Sequence, residues 1–199
     1  MRKKIVVSLV GVVVIAAAIG GFFYWRETHP LKGNANDYLI KQSENSEKIV
    51  ENKRAGLTFK MPAGWIEEKI DELEGSIIIY SPETEFIKPR TVPLKAGCMI
   101  GIATMFDKFY TKMNFEELKE EIGNIHFTLG VKSENFEEIT IQNYKALKDT
   151  FDTVDIGKGI AIYIPYDKKL YDFSVYAAPE NEEQCLQEFA EFVSNISIK

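Results

Sequence analysis

The chain holds only two histidines and two cysteines among 199 residues, a shortage that removes most metal and redox chemistry. His29 and His126 stand far apart. With no H-E-x-x-H pair and no C-x-x-C spacing, the clustered nitrogen and sulfur donors of a transition-metal site are missing. No G-x-S-x-G elbow and no glycine-rich phosphate loop occurs either. His126, between Ile125 and Phe127, therefore reads as a helix-end or strand residue and not as a general base. No cofactor is expected. Positive charge is also in short supply, at 24 Lys and Arg against 30 Asp and Glu. Three of the basic residues precede Ile5 and every acidic one follows Trp25, so the rest of the chain carries an excess of about nine negative charges. That balance disfavours nucleic acid, which is bound through clustered Lys and Arg, and it disfavours anionic lipid headgroups.

What the sequence does have is an apolar run at its start. Every residue from Ile5 to Trp25 is uncharged, and at about 1.5 Å per residue the run is about 31 Å long as a helix, close to the hydrocarbon thickness of a bilayer. Arg2, Lys3 and Lys4 make the N-terminal flank the more basic one, which places it in the cytoplasm. The expected order is a cytoplasmic tail over 1–4, a single-pass transmembrane signal anchor over 5–25 and an extracytoplasmic remainder at the cell membrane. A cleaved signal peptide is the competing reading. Its apolar core is usually shorter, and here Ala16, Ala17 and Ala18 lie inside the run, followed by Phe22, Phe23, Tyr24 and Trp25, which resemble an interfacial aromatic belt. No cysteine near the end of the run supports a lipoprotein anchor.

Residues 26–54 read as a stem, because Leu31, Tyr38, Leu39, Ile40, Ile49 and Val50 recur with no sustained period; a polar helix over Asp37 to Lys53 is the alternative. A domain over 55–199 follows. Leu57 and Phe59 alternate with Thr58 and Lys60 before a Pro62-Ala63-Gly64 turn, and Ser76 to Tyr80 and Gly97 to Met105 are strand-like apolar runs. Asn114 and Glu117 form a capping box opening a helix that ends at Gly123 or Asn124. Ile139 to Ile141, Tyr144 to Thr153, Gly159 to Ile164 and Leu170 to Ala177 read as strands. A last helix begins near Pro179, and its stripe of Cys185, Leu186, Phe189, Phe192 and Val193 is expected to pack on the sheet face carrying Tyr171, Phe173 and Val175. The pattern predicts an α+β fold, an antiparallel β-sheet covered by helices.

Three stretches carry a likeness to a known family: Gly56-Leu57-Thr58-Phe59-Lys60-Met61-Pro62-Ala63-Gly64-Trp65, Ile141-Gln142-Asn143-Tyr144-Lys145-Ala146, and Tyr171 to Ala177 with the helix and Ser194-Asn195-Ile196-Ser197-Ile198 behind it. Over roughly residues 55 to 199 the chain resembles the PsbP/Mog1-like domains and their bacterial extracytoplasmic relatives. Asn143 stands where the family has a turn glycine, and Asn is the next best residue for a left-handed conformation. The resemblance implies an antiparallel sheet with helices on its faces and accessory, binding or assembly roles without a general enzymatic activity. It carries over no functional residues.

Candidate functional residues are few. Cys98 and Cys185 lie on the oxidising side of the membrane if the topology holds, and two readings stay open: a strand-to-helix disulfide, or two separate buried thiols. Tyr163, Tyr166, Tyr171 and Tyr176 gather around the turn from Pro165 to Lys169 and are the candidates for a partner-binding face. Glu67, Glu68, Asp71, Glu72 and Glu74 read as a solvated acidic loop, since they lack the ligand order of a calcium loop. Two functions remain: a membrane-anchored binding or accessory domain for a protein or cell-envelope partner, and a cell-envelope hydrolase whose carboxylates assemble only in the fold.

Overall fold

The computed structural model describes residues 33–43, 47–70, 75–87, 92–107, 109–128, 131–153 and 157–199. The anchor expected over 5–25 and the tail before it lie outside the described residues. Among the described residues no helix is long and apolar enough to cross a membrane. In chain order the strands are β1 (Tyr38–Gln42), β2 (Lys48–Asn52), β3 (Leu57–Lys60), β4 (Ile66–Ile70), β5 (Ser76–Tyr80), β6 (Glu85–Ile87), β7 (Val92–Ala96) and β8 (Cys98–Met105). They continue as β9 (Val131–Ile141), β10 (Tyr144–Thr153), β11 (Gly157–Tyr166), β12 (Lys169–Ala177) and β13 (Ser197–Ile198). Helix α1 (Phe115–Thr128) precedes β9, and α2 (Glu182–Ser194) precedes β13.

A seven-stranded sheet of order β4-β5-β8-β12-β11-β10-β9 is the frame, and its strand pairs are antiparallel. The expected antiparallel sheet with helices on its faces is therefore present. On central β12, Tyr171, Phe173, Val175 and Ala177 point to one face and Leu170, Asp172, Ser174 and Tyr176 to the other, the period-two alternation of a strand. The first face is covered by α2 and by a second sheet of order β1-β2-β3-β13. Phe192 of α2 stands edge-on to Phe59 at 5.2 Å and to Phe173 at 6.2 Å, so the stripe read from the sequence meets the face expected of it. Tyr171 spans the two sheets, its hydroxyl donating to the Ala55 carbonyl at 2.5 Å, and burial pushes the phenol's pKa up.

Helix α2 is tied to the frame at its start. Cys185 and Cys98 are disulfide-bonded across a Cα separation of 5.6 Å, which settles the choice between a bond and two free thiols. Beside the bond, the Gly97 amide donates to Asn181 Oδ1 at 2.8 Å and the Gly97 carbonyl accepts from the Ala178 amide at 3.0 Å. Gly97 has φ +83°, and a Cβ there would lie 2.7 Å from the Thr84 Cα, so this turn admits only glycine.

Several expectations fail for physical reasons. The stem over 26–54 is not a spacer where it is described: β1 and β2 form an antiparallel hairpin, and Tyr38 and Val50 are fully buried in the main core. Two anchoring side chains are too few to make a periodic signal, yet pairing with β3 supplies the remaining order. Helix α1 keeps the capping box, with the Glu117 amide donating to Asn114 Oδ1 and the Asn114 amide to Glu117 Oε2, both at 2.9 Å. It runs past Gly123 to Thr128, because packing of Ile122 and His126 outweighs the roughly 1 kcal/mol helical cost of one glycine. Strand β9 starts at Val131 and not at Ile139, as charged side chains on an edge strand hide its backbone pairing with β10. The left-handed residue of the β9–β10 turn is Gln142, at φ 54°, and not Asn143. Its side-chain Nε2 donates to the carbonyls of Ser194 and Ile196, contacts that hold the strained backbone in place. Glu67 and Glu68 belong to β4 and not to a loop, bonded to Lys48 and Tyr80; Asp71, Glu72 and Glu74 lie outside the described residues.

Two stability outcomes follow. The disulfide closes a separation of 87 residues, so reducing it should lower the unfolding free energy by about 4–5 kcal/mol in denaturant melts with and without reductant. Phe192→Ala removes a ring that touches Phe59, Phe173 and Phe189 and should cost about 3–5 kcal/mol in the same melts.

Candidate functional site

The other face of the large sheet is covered by α1, and its core is smaller: Leu118 and Ile122 of the helix meet Leu147, Phe151, Ala161, Tyr163 and Leu170. The helix does not fill the space. Between it and the strands lies a cavity of about 180 Å³. Ile122, Ile125 and His126 of α1 form its roof, with Met105, Val131 and Phe151 along its walls. Its floor is polar: Tyr163 from β11 with Asp172, Ser174 and Tyr176 from β12. Ile122, His126, Phe151, Tyr163 and Ser174 are buried, whereas Met105, Ile125, Val131, Asp172 and Tyr176 are half-buried and mark the side that solvent reaches.

A hydrogen-bonded relay runs behind the cavity. Asp149, fully buried on β10, accepts from Ser133 Oγ at 2.8 Å, and the same oxygen lies 3.0 Å from His126 Nδ1. His126 Nδ1 is also 2.9 Å from Ser133 Oγ, and Nε2 is 3.1 Å from the Tyr163 hydroxyl. Ser133 has a single hydroxyl proton and gives it to Asp149. A neutral imidazole would carry its proton on Nδ1, directed at Asp149 and Ser133, with Nε2 accepting from Tyr163, whereas an imidazolium would donate from both nitrogens. The other Asp149 oxygen, Oδ1, meets no donor among the described residues.

Asp172 is the second carboxylate. Ser174 Oγ donates to it at 2.6 Å, and Tyr163 is its register partner across the β11–β12 pair. Burial raises its pKa to about 6, while the Ser174 bond and positive charge on the His126 ring pull the other way. Burial likewise holds the Tyr163 phenol well above its ordinary pKa, reinforced by Asp172 and Asp149, and raises Tyr176. Phenols so placed stay protonated. They donate hydrogen bonds and do not act as nucleophiles.

The four tyrosines do not form one surface. Tyr163 and Tyr176 flank the cavity under α1, while Tyr171 is buried on the opposite face. Tyr166 is the most exposed of the four and stacks edge-on to Tyr144 at 5.0 Å. The expected partner-binding face is therefore divided between the two sides of the sheet. His126, read from sequence as a bystander, lies at the centre of the relay. The signal for this site was an acid in a core-facing register: Asp149 sits at period two between Leu147 and Phe151, both buried against α1.

An Asp172→Asn variant isolates what the carboxylate costs. A raised folded-state pKa means that the fold binds the proton more tightly than the unfolded chain does. The group therefore costs nothing below about pH 4 and up to about 3 kcal/mol above pH 6. The variant, which can still accept from Ser174, should be more stable than the parent at pH 7.5 and equal to it near pH 3.5 in denaturant melts.

Comparison with known proteins gives the fold and no more. No family model matches the chain, and no curated protein does. Among solved structures, cyanobacterial PsbP from Synechocystis superposes with a TM-score of 0.52 at 10% identity, covering 81% of this chain and 92% of that one. A Pseudomonas aeruginosa protein of unknown function superposes with a TM-score of 0.47 at 9% identity, over 81% of this chain and 97% of its own. The likeness to cyanobacterial PsbP agrees with the resemblance read from the turn and strand motifs, and the chain has a PsbP-like fold.

Proposed function

We propose that the protein is a single-pass membrane protein whose residues 5–25 anchor it, with the N-terminus in the cytoplasm, and whose PsbP-like domain works outside the cell membrane as a binding or accessory module. The Cys98–Cys185 disulfide carries this reading, since such bonds persist in oxidising compartments. The uncharged run behind Arg2, Lys3 and Lys4 supports the same side of the membrane. The partner is a protein or a cell-envelope component, and the acidic balance argues against nucleic acid.

The cavity favours a second reading, a hydrolase, because it brings together Asp172 and the Asp149–His126 pair. Three features weigh against it. The Tyr163 hydroxyl occupies His126 Nε2, the atom that would take a proton from a nucleophile or water. Tyr163 itself is held protonated by burial. The two serine hydroxyls are also committed, Ser133 to Asp149 and Ser174 to Asp172. Binding is the better use of such a site.

A reporter active only outside the cytoplasm, fused after Lys199, should be active, and activity of a cytoplasm-only reporter at that position would reverse the topology. Cross-linking in intact cells should trap the protein with a partner. Recovery of the protein alone under cross-linkers of several lengths would count against the accessory role.

A further inference from the structure

The cavity under α1 combines three properties that together select a ligand. Its size, about 180 Å³, slightly exceeds the roughly 150 Å³ of an apolar cavity that takes benzene. Its rings converge: Phe151 and Tyr176 lie 5.4 Å apart, and His126 stands edge-on to Phe151 at 5.7 Å. Its one lining carboxylate, Asp172, is answered by a serine hydroxyl and by no Lys or Arg of the lining. An anion would meet that carboxylate and no Lys or Arg of the lining. A metal ion would find too few ligands, since His126 has both ring nitrogens engaged and no group of three His, Cys, Asp or Glu side chains is assembled among the described residues.

We infer that the cavity binds a small organic cation, a primary ammonium on a short apolar stem of about benzene size, with the nitrogen on Asp172 and the stem against Ile122, Ile125 and Phe151. The ammonium has three donors for the carboxylate lone pairs that Ser174 leaves free, and the Tyr176 ring lines the same cavity as Asp172. The half-buried side at Met105, Val131 and Tyr176 gives the route in. The burial that makes the Asp172 charge costly in the empty fold also explains its use, because a cation arriving there relieves that cost. This inference deepens the binding role proposed above and rests on it, but not on the membrane topology. The two therefore fail in different experiments.

The test is calorimetric titration of the full chain in detergent at pH 7.5 with benzylamine, which is an ammonium at that pH, and with its neutral isostere benzyl alcohol. The expected result is a benzylammonium Kd below about 1 mM, within reach of an eight-atom ligand, with benzyl alcohol at least about tenfold weaker. Asp172→Asn, checked as folded by its melt, should lose at least about tenfold for benzylammonium and little for benzyl alcohol. Equal affinity for the two ligands would make the cavity a plain apolar hole and overturn the inference. So would the absence of benzylammonium binding, or binding unchanged by Asp172→Asn.

Discussion

A seven-stranded antiparallel sheet has two faces to cover, and this chain covers them unequally. One face receives a second sheet and the stripe of α2, tied at its start by the Cys98–Cys185 bond and packed through Phe59, Phe173, Phe189 and Phe192. The other receives one helix of fourteen residues. Burial of apolar area is the dominant favourable term in folding, so the first face can hold the domain together while the second leaves space. That division explains why the buried ionisable groups of the site sit under α1 and not under α2.

Those groups are costly where they stand. Asp149 is fully buried with one oxygen lacking a donor among the described residues, and Asp172 is pushed toward its neutral form by the same surroundings. A fold under selection for stability alone would replace such carboxylates with leucine or asparagine. Asp172 in a cavity that also collects His126, Tyr163 and Tyr176, with Asp149 behind it, fits the pattern of a site in which local stability is given up for function. The relay from Asp149 through His126 to Tyr163 fixes the direction of the imidazole. It engages both nitrogens of His126 and leaves Asp172 as the lining group free to meet a ligand.

Much of the scaffold was legible in the sequence because its signals are local. The Asn114 and Glu117 box, the alternation in β8 and β12 and the α2 stripe all act within one element, where periodicity reports burial directly. The β1–β2 hairpin was not legible, since its order comes from pairing with β3 and from two anchors, Tyr38 and Val50. Edge strand β9 was hidden for the same reason. The site was least legible of all. His126, Asp149, Tyr163 and Asp172 come from four elements and meet only through the register of β10, β11 and β12. What the sequence offered was an acid at a core-facing position in each of two strands, a signal that a charge count alone conceals.

The account stands on Asp172 holding a charge that the fold resists. Carbon-13 NMR of the side-chain carboxyls, followed from about pH 3 to pH 8 in the full chain, reads that charge directly. The Asp172 carboxyl should titrate with a midpoint near 6. A midpoint near 4, the value of a solvated aspartate, would contradict the account, because the carboxylate would then be accommodated as well as in water and its charge would carry no cost for a cation to relieve.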